Sequence, residues 1–116
     1  MFGNHILITV KNIKTTYLLY LCDADELNDE FFDPLADHLD LYVVKKAKYQ
    51  FSPYGVSLAY ILTTSHMCIH TFPEKESFTM DVFTCQEDID LLPSIKFIKE
   101  FWHITDDDIE YELIQR

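Results

Sequence analysis

The sequence predicts an α+β protein, a two-layer sandwich in which two helices pack on one face of an antiparallel sheet. Three observations carry this expectation. Four β-rich runs follow one another between Leu41 and Phe83 with short connections, the pattern of an antiparallel meander. Two segments place a proline just ahead of apolar residues at helical spacing. Finally, 48% of the 116 residues are hydrophobic and 15% aromatic, enough apolar material for one packed core between two layers.

Taken in order, His5 to Val10 is apolar and β-branched and reads as a strand, and Tyr17 to Leu21 is a second short apolar run, so one or two strands open the chain. Asp23 is a candidate start for a helical turn. Asp33-Pro34 supplies an N-cap and first-turn pair for a helix with Leu35, Leu39 and Leu41 as its stripe, and Pro34 is expected to separate the two pieces. Strands follow over Leu41–Phe51, Val56–Leu62, Met67–Phe72 and Phe78–Phe83. Pro93 opens the second helix, where Ile95, Ile98, Phe101 and Trp102 recur at helical spacing, and Ile109–Ile114 reads as a last strand. With two glycines, four prolines and no linker-like or repeated tract, residues 1–116 read as a single domain.

The formal charge of −11 argues against a nucleic-acid partner, which would need clustered Lys and Arg, and favours small cationic ligands. Eight acidic residues lie between Asp23 and Asp40 with no Lys or Arg among them, and Asp106-Asp107-Asp108 with Glu110 and Glu112 form a second cluster. Both are read as solvated faces. Cys22, Cys68 and Cys85 are too few and too irregular for a disulfide framework, which points to a reducing compartment. No apolar run approaches membrane-spanning length, so the chain is expected to be soluble and cytoplasmic, with no membrane partner.

Between Phe51 and Cys85 the chain collects Pro53-Tyr54-Gly55-Val56-Ser57, Thr64-Ser65-His66, Ile69-His70-Thr71-Phe72-Pro73-Glu74 and Asp81-Val82-Phe83-Thr84-Cys85. A hydroxyl, an imidazole and a thiol thus fall inside a core pattern. His66, Cys68 and His70 share one strand face, with Cys85 a possible fourth zinc donor. At about 3.3 Å per residue, however, the Cα atoms of His66 and His70 stand about 13 Å apart, so no metal is expected there. If Pro73–Ser77 is a hairpin loop pairing Phe72 with Phe78, the ladder sets Ser65 opposite Cys85, close enough for a thiol to act on a group built at the serine. His70 has the opposite parity from Ser65, so a regular strand points it to the other face.

The ordered combination of Gly-Val-Ser, Ser-His, Ile-His-Thr and Phe-Thr-Cys resembles the prokaryotic S-adenosylmethionine decarboxylase proenzyme family, closely over the middle third of the chain and loosely over all of it. That resemblance implies self-cleavage between Thr64 and Ser65, giving chains 1–64 and 65–116, and a pyruvoyl group made from Ser65. It implies that Ser65 attacks the Thr64 carbonyl to form an ester, that His70 and Ser57 assist processing, and that Cys85 is the proton donor of the later decarboxylation. The substrate amine would form a Schiff base with the pyruvoyl group, which accepts the electrons left by departing carbon dioxide. A thiol near its ordinary pKa of about 8.5 keeps its proton at neutral pH, as a donor must.

By the same resemblance Phe51 and Phe72 surround the adenine of S-adenosylmethionine, Glu74 contacts the ribose hydroxyls, and two cleaved protomers form a homodimer that builds each site across its interface. The reading is a pyruvoyl-dependent decarboxylase of polyamine biosynthesis, without pyridoxal phosphate. The chain departs from the family where Thr64 replaces a usual Glu, Leu58 a usual Gly and Phe72 a common Trp. Relatives decarboxylate L-ornithine or L-arginine, which would require a carboxylate such as Glu74, Glu76 or Asp81 for the distal cation. That is the alternative reading. An unprocessed, non-enzymatic homologue is the third, against which the intact Ser65, His70 and Cys85 set argues.

Overall fold

The computed structural model describes residues 2–116. Six strands form one antiparallel sheet: β1 (Asn4–Val10), β2 (Val43–Gln50), β3 (Val56–Leu62), β4 (Ser65–Phe72), β5 (Ser77–Thr84) and β6 (Ile109–Gln115), in the order β2-β3-β4-β5-β1-β6. The meander is β2 to β5. β1 is inserted between β5 and β6, a long-range pairing in which His5 lies opposite both Phe83 and Ile114.

Alternation along each strand sorts the residues to two faces. Val56, Leu58, Tyr60 and Leu62 of β3, Met67 and Ile69 of β4, Phe78, Met80 and Val82 of β5 and Ile6, Ile8 and Val10 of β1 are buried under the helical layer. That layer contains α1 (Leu18–Cys22), α2 (Ala24–Leu27), α3 (Asp33–His38) and α4 (Pro93–Trp102). Fully buried Trp102 anchors it, its ring 5.2 Å from those of both Phe31 and Phe78. Among the described residues no layer covers the opposite face: Leu7, Tyr49, Phe51 and Ile61 are exposed there. The predicted two-layer α+β architecture is the observed one.

Three local expectations change. Tyr17–Leu21 is helical, from a 3₁₀ turn over Thr15–Tyr17 into α1, because a short apolar run under a sheet fits a buried helix turn as well as a strand. Asp23 does cap α2, its side chain accepting the N–H groups of Asp25 and Glu26 at 3.0 Å. Pro34, however, does not divide the helix. A π turn over Asn28–Phe32 runs directly into α3, and this wider turn makes room ahead of a ring that would otherwise crowd the preceding turn's carbonyl. Asp33 is consequently inside the helical run, where Tyr60 donates to it at 2.6 Å and Lys46 pairs with it at 2.7 Å. Lys48 pairs with Asp25 in the same way, so part of the first acidic run faces the lysines of edge strand β2 instead of open solvent.

Candidate active site

The hairpin β4–β5 is one residue out of the predicted register. Phe72 pairs with Ser77, which sets Ser65 opposite Thr84 and His66 opposite Phe83. The reason is that Pro73–Lys75 forms a 3₁₀ turn ended by Glu76 in the left-handed conformation, φ 49°, so the loop has four residues and Ser77 joins the ladder. The expected meeting of Ser65 and Cys85 survives by another contact. Cys85, just past the end of β5, donates its backbone N–H to the Ser65 hydroxyl at 3.0 Å.

β3 and β4 are joined by the two-residue turn Thr63-Thr64, with Leu62 paired to Ser65. Thr64 has φ 54°, a left-handed conformation that crowds a β-branched side chain and costs about 1–2 kcal/mol. The peptide bond between Thr64 and Ser65 therefore sits at a strained turn beside a thiol. Thr64 Oγ1 lies 2.5 Å from Cys85 Sγ and donates to the Thr63 carbonyl at 2.7 Å. The hydroxyl has one proton for two partners. When the thiol is protonated it donates to Thr64; when it ionises, the hydroxyl turns and donates to the thiolate. Hydrogen bonds from Thr64, then from Ser65, hold the Cys85 pKa below the ordinary thiol value, a correction to the unperturbed thiol expected from sequence. Phe2, Phe83 and Arg116 complete a recess of about 380 Å³ around Thr64 and Cys85.

Ser57 and His70 are a directly opposed pair on β3 and β4, both on the open face, with Ser57 Oγ 2.7 Å from His70 Nδ1. Neighbouring Thr71 points to the other face, where it accepts the Val56 N–H at 2.8 Å and donates to the Leu21 carbonyl at 2.6 Å. This fixes the strand under His70. Phe51, Tyr54, Phe72 and Glu74 surround the pair and form with it a cleft of about 410 Å³. The cleft exists because the loop after β2 folds back, Phe51 N–H bonding the Gly55 carbonyl at 2.9 Å, and Gly55 takes φ 110°, a conformation open to glycine.

The predicted residues thus fall into two groups, Ser57, His70, Phe51, Phe72 and Glu74 at one end of β3–β4, and Thr64, Ser65 and Cys85 at the other. From Ser65 to His70 is five strand residues, about 16 Å. One chain does not bring the two groups within reach. Leu58, a departure from the family pattern, is 1% exposed in the helix-side core and does not line the cleft. The along-strand metal set is likewise not formed: His66 meets instead His5 and Asp81, across β5. That cluster had no signal in the sequence, since β1 reaches β5 only through the fold.

Fold and geometry define a two-layer α+β protein whose single sheet carries a hydroxyl–imidazole pair and a serine–thiol pair at opposite ends. The family model described as S-adenosylmethionine decarboxylase matches residues 5–116. Named relatives are S-adenosylmethionine decarboxylase proenzymes. The one from Clostridium botulinum (strain Loch Maree / Type A3) is 36% identical over 87 residues, covering 71% of this chain and 75% of the relative. The one from Acidithiobacillus ferrooxidans (strain ATCC 53993 / BNL-5-31) is 38% identical over 86 residues, covering 70% and 65%. The adenosylmethionine decarboxylase structure from Aquifex aeolicus superimposes with a TM-score of 0.81 over 99% of this chain and 90% of its own, at 24% identity, a likeness of fold. The chain belongs to the S-adenosylmethionine decarboxylase family. Among the described residues no helix is long and apolar enough to cross a membrane.

Proposed function

We propose that this protein decarboxylates S-adenosylmethionine after cutting itself between Thr64 and Ser65, and that its working form is a homodimer. The observation that carries the reading is the juxtaposition of Ser65, Thr64 and Cys85 at one strained turn, in a chain matched by its family model from residue 5 to 116. The residues fit a pyruvoyl group formed at position 65: a serine hydroxyl adjoins the bond to be cut, and a thiol lies beside it. Such a group supplies an electrophilic carbonyl that withdraws electrons from a bound amine.

The chain's own residues supply the rest. The Ser65 hydroxyl attacks the Thr64 carbonyl, and relief of the left-handed conformation at Thr64 favours opening that peptide bond. His70 takes the Ser65 Cα proton. For this its Nδ1–H donates to Ser57 and leaves Nε2 free as base, so Ser57 acts by fixing the tautomer. During turnover the Cys85 thiol returns a proton to the substrate carbon. Phe51 and Phe72 offer aromatic faces to the adenine and to the sulfonium, Glu74 accepts from the ribose hydroxyls, and the acidic surface favours a cationic substrate.

The 16 Å gap supports the dimer. If two copies pack their open faces together about a two-fold axis lying in the interface and perpendicular to the strands, each strand meets its partner reversed. The Ser65–Cys85 end of one copy then lies over the Ser57–His70 end of the other. Leu7, Tyr49, Phe51 and Ile61, exposed on that face, would be covered.

The test is intact-mass analysis of the purified protein, followed by carbon dioxide release from S-adenosylmethionine, L-ornithine and L-arginine side by side. Two chains divided at Thr64 and Ser65, with release from S-adenosylmethionine, are expected. A single uncut chain defeats the enzymatic reading, and release from ornithine or arginine alone moves the substrate.

A further inference from the structure

On the open face, between the two groups of site residues, β5 presents Asp81 with His5 of β1 on one side and His66 of β4 on the other. Phe83 is directly opposite both histidines, and Asp81 lies two residues before it on the same face. His5 Nε2 stands 2.8 Å and His66 Nε2 3.0 Å from the same oxygen, Asp81 Oδ2. The imidazole rings are 5.8 Å apart and nearly perpendicular, at 87°, so they approach that oxygen from different directions instead of stacking. Among the described residues, no Lys or Arg pairs with Asp81.

We propose that His5, His66 and Asp81 bind one divalent transition-metal ion of the zinc class. The three donor atoms already lie within 4.8 Å of one another. Zinc bonds of about 2.0–2.1 Å set neighbouring donors about 3.3 Å apart in a tetrahedron, so each nitrogen retreats from the oxygen by a few tenths of an ångström while the two nitrogens, now within 4.8 Å of each other, settle to the same spacing. With Nε2 on the ion each imidazole carries its N–H on Nδ1, so the proton that Nε2 now donates to Asp81 Oδ2 passes to Nδ1 or is released to solvent when the ion binds. Two imidazoles and one carboxylate suit zinc, cobalt or nickel and do not suit magnesium or calcium, which take oxygen ligands.

The setting is preorganised. All three side chains stand on neighbouring strands of one sheet, and the Phe83 ring packs 5.6 Å from His5 and 5.8 Å from His66 as an apolar wall. In the single chain their side chains are 15%, 41% and 28% exposed for His5, His66 and Asp81, so an ion can enter before two copies pair. The remaining coordination positions face away from the sheet, toward the face that the proposed dimer covers, so they are left to water enclosed there or to a group of the second copy.

The experiment uses full-length protein carrying Ser65→Ala, so that its outcome does not depend on self-cleavage or decarboxylation. Equilibrium dialysis against Zn²⁺ with elemental analysis is expected to give one ion per chain. His5→Gln, His66→Gln and Asp81→Asn each weaken binding at least about tenfold, while His70→Gln and Cys85→Ser leave it unchanged. Circular dichroism checks that each variant folds. Should a variant fail to fold, the visible spectrum of Co²⁺ in the Ser65→Ala protein decides: imidazole and carboxylate ligands without a thiolate charge-transfer band are expected. Less than stoichiometric metal, binding indifferent to the three substitutions, or a thiolate band overturns the proposal.

Discussion

The two ends of β3–β4 can be tested against each other by mixing two inactive variants. In a Ser65→Ala homodimer no chain has the hydroxyl that starts cleavage. In a His70→Ala homodimer every Ser65 faces a partner lacking the imidazole. Because Ser65 and His70 are five strand residues apart, about 16 Å, with side chains that reach only a few ångströms, neither can serve the other within one chain. A heterodimer of the two variants has one site with both defects and one with neither. With equal expression and random pairing half of the dimers are heterodimers, so about one quarter of the wild-type number of sites is restored. The assay is co-expression with distinct tags, intact-mass analysis and carbon dioxide release. Only the His70→Ala chain should be cut, and about half of it. No cleavage in the mixture would refute the shared site, and normal processing of His70→Ala alone would remove the imidazole from maturation.

Further outcomes concern the core, the thiol and the cleft. Tyr60→Phe removes the hydroxyl that lies within hydrogen-bond reach of Asn28 Oδ1 and donates its one proton to the Asp33 carboxylate, and should cost about 1–3 kcal/mol in thermal or denaturant unfolding. Burial opposes ionisation of Asp33, but the hydrogen bonds from Lys46 and Tyr60 prevail and its pKa is lowered. Its contribution is thus complete above the ordinary carboxylate pKa of about 3.9 and is lost as pH falls through the lower folded value, so the gap between wild type and Tyr60→Phe should narrow toward pH 3; a constant gap would contradict this. In His70→Ala protein, where Ser65 is expected to stay intact, peptide-resolved alkylation of Cys85 should show a midpoint below that of an ordinary thiol, and adding Thr64→Val should move it upward. Phe72→Ala should raise KM for S-adenosylmethionine by a factor corresponding to about 1–3 kcal/mol of lost stacking, with self-cleavage unchanged. An unaltered KM would put the adenine elsewhere.

Much of this was legible in the sequence because it is local. Alternation within β3 and β4 announces their faces, Pro93 announces α4, and the spacing from Ser57 to Cys85 carries the family likeness. What was missed depends on distance or on small choices of turn. The left-handed Glu76 shortens one loop and shifts a register by one residue, which no composition signal dictates. Tyr17–Leu21 is too short for its periodicity to distinguish helix from strand. His5 is 76 residues from Asp81, and only the insertion of β1 beside β5 brings them together.

That insertion matters for what a cut at position 64 would leave behind. Residues 1–64 hold β1, β2 and β3, and residues 65–116 hold β4, β5 and β6, yet the sheet order is β2-β3-β4-β5-β1-β6. The first piece threads the second, with its β1 clasped between β5 and β6. Three of the five ladders, β3–β4, β1–β5 and β1–β6, join one piece to the other. Severing the backbone would therefore free a new chain end for chemistry while the two pieces stay interlocked, parting only if the sheet itself unzips.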